Sequence, residues 1–355
     1  MGIAKIIQIK YIIANEFEVD IMNKKAELLI VLTVLTILNG CDRTTPIEYF
    51  QWELSDEGVT IIGFTGETLN LNIPLQIQGI YVTRIGGEAF RDKQIITRVS
   101  IPESVIYIGE DAFRGNRIGN ITIPDSVLSI GPRAFMNNWL TYVNISNSVT
   151  TIEEGTFAGN GLTSITIPDS VTHIGDWAFF RNQLNRVGIP NTVVHIGNAS
   201  FEENHLPSVI IPNSVAHIGI RAFSGNQLSH VRISDGITYI SEMAFMSNQI
   251  RFVTIPDSVI SIGANAFAGN QLTGITIPDS VTQIGSFAFV GNNQLTRITI
   301  GNNVALVNNG GFPLRFGEFY QEQERKAGTY TLVGSRIRSW RFEPRISTNY
   351  YGHEE

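Results

Sequence analysis

Hydrophobic and polar residues repeat along this chain with a period of 22 residues. The clearest marker is a phenylalanine, usually preceded by alanine, that recurs at strict intervals of 22 from Phe113 to Phe289. One further copy lies on each side at an interval of 23, at Phe90 and Phe312. A fixed period of this length indicates a repeat protein in which each period forms one structural unit.

The pattern inside each period predicts its local structure. Ile165 and Ile167 alternate with polar neighbours, as in a half-buried strand. Pro168 follows at once, and proline ends a strand because it cannot donate to a ladder. The segment around Ala178 and Phe179 predicts turns or a short helical turn. Each coil therefore contains one short parallel strand plus turns, and it can bury its apolar side only against its neighbours.

Two positions hold the same residue in nearly every repeat and are expected in the interior. The phenylalanines are predicted to stack as a column of rings. An asparagine column is predicted to satisfy backbone groups of the turns as a buried amide ladder. Its members are Asn116, Asn138, Asn160, Asn182, Asn204, Asn226, Asn248, Asn270 and Asn292. The predicted fold is a β-rich solenoid of 22-residue coils, capped at both ends.

The repeated motif resembles that of a known family. Its consensus, Ile-Pro-Asp-Ser-Val-Thr-x-Ile-Gly-x-x-Ala-Phe-x-x-Asn-x-Leu-Thr, is similar to the BspA-like leucine-rich repeat family of bacterial surface proteins, over residues 59–312. The resemblance implies a right-handed leucine-rich-repeat solenoid with a binding role at the cell surface. Some family members adhere to host matrix proteins or to other cells. Many also carry Cys where this chain has the asparagine column.

The N-terminal residues predict a lipoprotein signal peptide over 22–40. Basic residues precede an apolar run of eleven residues, 28–38, which is too short to span a bilayer. The sequence Leu-Asn-Gly that follows, ending at Cys41, resembles a bacterial lipobox and implies that Cys41 carries lipid. The alternative is a buried helix with an incidental thiol. The expected location is the bacterial cell envelope, with the protein lipid-anchored and surface-exposed.

The remaining segments are assigned from the limits of the repeat. Covers over both ends are expected because an open solenoid end exposes its interior. The predicted segments are an N-terminal extension at 1–21 that was assigned to the protein by mistake, a tether at 41–58, an N-terminal cap and entry repeat at 59–89, the leucine-rich-repeat solenoid at 90–312, a C-terminal cap at 313–342 and a disordered tail at 343–355.

Charge and motif content argue against several classes of protein. The net charge is −7, and it stays at −7 when residues 1–40 are removed, which disfavours nucleic acid as a partner. No Gly-x-Ser-x-Gly, His-Glu-x-x-His or Walker sequence occurs, and there is no cysteine pair for zinc. The chain is therefore predicted to be non-enzymatic, with no cofactor, no metal and no small-molecule substrate.

Three histidines at one repeat position are a candidate for chemistry. Stacking would bring His173, His195 and His217 into a column about 5 Å apart, which could bind a metal or respond to pH. The alternative is an ordinary exposed column, because Tyr, Ser, Thr and Gln occupy the same position in other coils. The column is predicted to lower the imidazole pKa values, since each charged ring disfavours the next.

The outward side of the strands is the predicted partner-binding face. Aromatic residues and arginine are the types that anchor protein interfaces. The candidates are Tyr142, Arg186, Ile210, His230, Arg232 and Phe252. The alternative is ordinary scatter of apolar residues on a surface. The hypothesis is a surface protein that binds a protein partner, such as a host extracellular-matrix or cell-surface protein, in adhesion or recognition. The alternative function is a structural or self-associating surface protein.

Overall fold

The structure is a computed structural model that describes residues 44–312, 316–333 and 339–345. The described residues from 46 to 345 belong to one compact unit. The predicted extension, signal peptide and lipid-bearing Cys41 lie outside the described residues, as does 346–355 of the predicted tail.

The repeats form a β-solenoid in which every coil carries two short strands instead of the one predicted. The first strand of each coil has three or four residues and the second has two. The first strands are β6 (Arg98–Ser100), β8 (Asn120–Thr122), β10 (Tyr142–Asn144), β12 (Ser164–Thr166), β14 (Arg186–Gly188), β16 (Ser208–Ile210), β18 (His230–Arg232), β20 (Phe252–Thr254), β22 (Gly274–Thr276) and β24 (Arg297–Ile300). The second strands are β7 (Tyr107–Ile108), β9 (Ser129–Ile130), β11 (Thr151–Ile152), β13 (His173–Ile174), β15 (His195–Ile196), β17 (His217–Ile218), β19 (Tyr239–Ile240), β21 (Ser261–Ile262), β23 (Gln283–Ile284) and β25 (Ala305–Leu306).

The phenylalanine column is confirmed as the centre of the core. Phe201 is fully buried and lies between Phe179 and Phe223, with ring centroids 5.4 Å away on each side. From Phe90 to Phe312 the successive rings are within 15° of parallel, with centroids 4.7–5.8 Å apart. Offset stacking of this kind adds to the gain from burying the rings.

The asparagine column is confirmed as a buried amide ladder that joins adjacent coils. The amide nitrogen of Asn204 donates to the carbonyl of Phe179 in the preceding coil at 2.9 Å and to that of Phe201 at 3.2 Å. Its amide oxygen accepts from the backbone N–H of Leu184 at 3.0 Å. The same pattern recurs in the neighbouring coils, for instance at Asn182. Each asparagine thus satisfies buried backbone groups that have no strand partner.

The segment around each core phenylalanine consists of turns and does not form the helical alternative. Trp177 and Arg181 have φ values of 54° and 52°, and left-handed residues recur at these two positions in successive coils. Left-handed residues interrupt a right-handed helix. The backbone between them forms hydrogen bonds to the next coil instead. For example, the N–H of Phe179 donates to the backbone carbonyl of Ser200 at 2.8 Å.

A glycine column sets how closely the second strands approach. A Cβ at Gly197 would lie 2.6 Å from the backbone N of Asp176 and 2.6 Å from the carbonyl carbon of Gly175. Glu153 and Ser241 replace glycine at this position, and the second-strand ladder is interrupted between β9 and β11 and between β17 and β19. At both interruptions a side chain must fit between adjacent coils.

Substitution of Gly197 is expected to destabilise the solenoid. Gly197→Ala should lower the free energy of unfolding by roughly 1–3 kcal/mol, because the added methyl overlaps backbone that cannot rotate away. Gly188→Ala is the matched control, since a Cβ there meets no atom within 4 Å. Urea unfolding followed by circular dichroism measures both. Equal stabilities of the two variants would contradict the steric role of the column.

The N-terminal cap begins earlier than predicted. Its elements are a 3₁₀ turn (Ile47–Tyr49), β1 (Phe50–Ser55), β2 (Gly58–Phe64), β3 (Asn70–Asn72), β4 (Gln76–Ile77) and β5 (Ile80–Ile85). β1 pairs antiparallel with β2, although the sequence pattern assigned this segment to the tether at 41–58. The physical reason is the ring of Phe50, which is buried and extends the aromatic column by contacting Phe64 and Phe90.

The C-terminal cap continues the first-strand sheet beyond the last coil. After a 3₁₀ segment (Val307–Gly311), it consists of α1 (Phe316–Glu322), β26 (Gly328–Val333) and β27 (Ser339–Pro344). β26 pairs antiparallel with both β24 and β27. β27 extends to Pro344, two residues into the segment predicted as a tail. Phe316 ends the ring column by packing edge-on against Phe312 at 4.8 Å.

Candidate functional site

The outward side of the first strands forms a continuous surface, which we call the strand face. It comprises four residues per coil: the first and third residues of each first strand and the residues one and three positions before that strand, from Ile95 to Thr299. The intervening residues point inward and are mostly buried. Because hydrogen-bonded coils fix the backbone, the outward side chains are presented on a rigid scaffold.

The structure brings five of the six predicted binding residues together. His230 is in register with Phe252 on the next coil, and Ile210 is in register with Arg232. Arg186 lies one coil before the strand that carries Ile210. Tyr142 is two coils further away, or about 10 Å at a strand spacing of 4.8 Å.

Large apolar side chains are held in solvent on this face. The exposed fractions are 58% for Tyr142, 69% for Ile210 and 65% for Phe252. Trp139, which the sequence analysis missed, is 60% exposed and lies under the guanidinium of Arg117, 5.2 Å from its ring centroid. Its position three residues before Tyr142 is an outward position in every coil, so the repeat register could have identified it.

A shallow depression lies beside Phe252. Its volume is about 460 Å³, and Phe252, Thr276 and Arg297 are among the residues that line it. It exists because Gly274 contributes no side chain between two large neighbours. A Cβ at Gly274 would meet only Arg297, at 3.6–3.7 Å, which is ordinary contact. Backbone geometry therefore does not require glycine at this position.

The three histidines form the predicted column on the second strands. Ring centroids are 5.9 Å apart between His173 and His195, with an interplanar angle of 29°. They are 4.7 Å apart between His195 and His217, with an angle of 9°. A metal ion must lie about 2 Å from each nitrogen and in the plane of each ring, which stacked parallel rings do not allow. The geometry therefore favours packing over chelation.

Acidification is expected to destabilise the coils that carry this column. Burial lowers the pKa of His195 below 6.5, and the charges of His217 and His173 lower it further against an opposing effect of Asp176. The unfolded chain then binds more protons than the folded one, so stability is present above pH 6.5 and is lost as pH falls towards the folded pKa. His195→Gln should reduce this loss, measured by thermal unfolding between pH 7.5 and 5; an unchanged pH profile would contradict the assignment.

The described residues contain neither a metal-ligating cluster nor a membrane-spanning helix. In 44–312, 316–333 and 339–345, no group of three or more His, Cys, Asp or Glu side chains could hold a metal ion. Within the same ranges, no helix has the length and apolar character needed to cross a membrane.

Coils of this length, with paired short strands and an aromatic core column, define a leucine-rich-repeat β-solenoid. The chain belongs to the BspA type leucine rich repeat family: six copies of the family's repeat region match, over residues 83–207, 129–251 and 238–314. A sequence comparison with curated proteins finds no match.

Solved structures of bacterial leucine-rich repeat proteins are similar to this chain. The pneumococcal vaccine antigen PcpA is 18% identical with a TM-score of 0.50, over 73% of this chain and 86% of that chain. A leucine-rich repeat protein from Bacteroides ovatus is 23% identical with a TM-score of 0.47, over 74% and 89%. A leucine rich cell surface protein from Faecalibacterium prausnitzii is 26% identical with a TM-score of 0.39, over 74% and 98%. The likeness to PcpA supports the fold.

Proposed function

We propose that this protein is a bacterial surface protein whose strand face binds a macromolecular partner in adhesion or recognition. The observation that carries the proposal is the exposure of Phe252, Ile210, Tyr142 and Trp139 on the strand face. Folded proteins gain nothing from holding several large apolar side chains in water, and such side chains cluster where partners bind. Arg186, Arg232 and His230 lie near the apolar residues on the same face, and they would donate directional hydrogen bonds to the partner.

The anchor in this proposal is a lipid on Cys41. The support is the lipobox-like sequence that ends at Cys41, the apolar run before it, and the fact that it is the only cysteine in the chain. Cells expressing the wild type are expected to incorporate labelled fatty acid into the protein, whereas Cys41→Ala should not be labelled. Equal labelling of both would remove the lipid anchor from the proposal.

Adhesion of cells that display the full chain tests the binding role. The cells are applied to surfaces coated with extracellular-matrix proteins and to intact host cells. The triple variant Arg186→Ala, Arg232→Ala, Phe252→Ala should lose most adherence because it removes two cations and one aromatic anchor. A matched control carries Arg181→Ala, Arg221→Ala and Phe287→Ala, which are exposed residues on the turn side of the coils. Unchanged adherence of the triple variant would exclude the strand face.

A structural, self-associating protein is the second candidate function. It is favoured by β27, which lies at the end of the C-terminal sheet order β22-β24-β26-β27. An edge strand can pair with a second copy. This function predicts that light scattering of the purified chain shows a molar mass that increases with concentration. A constant monomer mass would exclude it and leave the binding role.

A further inference from the structure

The arginines of the coils fall into two groups with different surroundings. Twelve arginines occur between residues 84 and 300. Six lie within 4.0 Å of a carboxylate oxygen: Arg84, Arg91, Arg114, Arg133, Arg181 and Arg221. The other six have no ion pair with a described carboxylate: Arg98, Arg117, Arg186, Arg232, Arg251 and Arg297.

All six unpaired arginines lie on the strand face. Its forty positions also include two histidines, His205 and His230, but no aspartate, glutamate or lysine. The whole chain has a net charge of −7, so its acidic residues outnumber its basic ones and lie elsewhere in the chain. An acidic row that includes Asp257 and Asp279 lies in the turns that follow the first strands, and Glu67 lies beside the face at the corresponding position of the entry strand β3. The strand face is therefore a cationic surface on an acidic protein.

Unpaired guanidinium groups on one face favour an anionic partner. Arginine forms paired hydrogen bonds with carboxylate, sulfate or phosphate, and a face without carboxylates leaves most of these donors available. The exception is Nε of Arg98, which donates to Oδ1 of Asn70 at 2.7 Å. A uniform sign of charge also attracts an anion of opposite charge during encounter. Association would replace water on the arginines without first breaking an internal ion pair.

The spacing of the arginines favours an extended polymer. Nine coil intervals separate Arg98 from Arg297, or about 43 Å at 4.8 Å per strand. Most other positions of the face are Thr, Ser, Asn or Gln, whose hydroxyl and amide groups both donate and accept hydrogen bonds. In the core of a protein–protein interface about 65% of the area is typically non-polar, which is more apolar than this face. A partner rich in hydroxyl groups and regularly spaced anions fits this surface better.

We propose that the strand face binds an acidic polysaccharide, a linear chain of sugars that carries carboxylate or sulfate groups. This proposal rests on the proposed function, because it names the class of macromolecule that the face recognises. The depression at Gly274 receives one sugar ring, with the C–H side of the sugar against the ring of Phe252 and a nearby anionic group on Arg297. The exposed hydroxyl of Thr276 is available to the hydroxyl groups of that sugar.

Binding of defined oligosaccharides to the purified full chain tests this proposal. The probes are a heparin decasaccharide with sulfates, a hyaluronan decasaccharide with carboxylates, a neutral dextran oligosaccharide and polyglutamate of equal charge. Calorimetry at low salt should detect one or both acidic sugars and no dextran, with affinity falling as salt rises. The two acidic sugars distinguish sulfate from carboxylate as the recognised group.

Matched variants connect binding to the face. Arg232→Gln with Arg251→Gln should weaken binding of the acidic sugar about tenfold, since two unpaired cations are lost. Arg181→Gln with Arg221→Gln removes the same charge from ion-paired positions and should change affinity less than about twofold. Gly274→Val fills the depression without changing the charge and should also weaken binding about tenfold.

Three outcomes would overturn the proposal. Absence of binding to every polyanion, or equal losses in the two double variants, would contradict an anion-binding face. Polyglutamate binding that matches the sugars and is insensitive to Gly274→Val would identify an acidic protein as the partner class. In each case the adhesion experiment with the triple variant still decides the proposed function separately, because it does not depend on the chemistry of the partner.

Discussion

Phe201→Ala is expected to lower the free energy of unfolding by roughly 3–5 kcal/mol. The ring is fully buried, and its centroid lies 5.4 Å from the ring centroids of both Phe179 and Phe223. Its removal therefore leaves a cavity that affects two coil interfaces. In a solenoid, stability is approximately the sum of each repeat and its neighbour interfaces, and both interfaces of this coil are weakened. Urea unfolding measures the total loss.

Hydrogen exchange then shows where the stability is lost. Amides in the coils around Phe179 and Phe223 should exchange faster, while coils near the C-terminal cap keep their protection. Phe252→Ala is the control, because this ring is largely exposed and its loss should change stability by less than about 0.5 kcal/mol. A cost below about 1 kcal/mol for Phe201→Ala would show that the column is not packed as described.

Asn204→Leu is expected to be similarly damaging, although it preserves the volume of the side chain. It leaves the N–H of Leu184 buried without a partner. It also removes one hydrogen bond each from the carbonyls of Phe179 and Phe201, which keep their bonds from Asn182 and Asn226. The orphaned N–H costs about 1–3 kcal/mol and each of the two lost hydrogen bonds about 0.5–1.5 kcal/mol, so the variant should lose roughly 2–6 kcal/mol. Comparison with Phe201→Ala separates the contribution of hydrogen bonds from that of packing. The leucine in Asn204→Leu removes hydrogen bonds but keeps apolar contacts, whereas Phe201→Ala removes apolar contacts.

Asn185→Ala is the control for this substitution. Asn185 is exposed, and its side chain makes no hydrogen bond among those found in residues 44–312. Its replacement should change stability by no more than about 0.5 kcal/mol. If Asn204→Leu were as stable as wild type, the asparagine column would be tolerated packing and would not be a structural ladder.

The repeat made the core predictable from sequence. A fixed period shows which residues must meet the same demand in every coil, which is why both the Phe201 ring column and the Asn204 amide ladder were identified correctly. The strand at Ile165 was also predicted, because alternation and a following proline are strong local signals. These features repeat many times, so the chain itself supplies the comparison that a single globular domain lacks.

Features that depend on contact between coils were not predictable. The second strand at His173–Ile174 has only two residues, too few for an alternating pattern. The interruptions of the second-strand ladder at Glu153 and Ser241 could be predicted only from the space available beside each glycine, which the sequence does not show. β1 was assigned to a tether because its burial arises from the aromatic ring of Phe50 on the first coil and not from a sequence period.

The proposed binding face was predictable only in part. The repeat register identified outward positions correctly, and Phe252 was selected for its residue type. It did not show that Gly274 opens a depression beside this ring, since that depends on the absence of a side chain. Nor could the sequence alone separate Arg232 from Arg221, because the difference lies in which carboxylates fold against each guanidinium.

Disulfide formation between adjacent coils tests the stacking of the coils most directly. Thr122 and Asn144 are Cα partners on β8 and β10, and parallel strands about 4.8 Å apart fall within the 4.4–6.8 Å range that a disulfide bridges. In a Cys41→Ser background, Thr122→Cys with Asn144→Cys should oxidise completely, whereas Thr122→Cys with Thr166→Cys, two coils apart, should not. Equal oxidation of the two pairs, or none in the first, would contradict the 22-residue register on which the core columns and the strand face both depend.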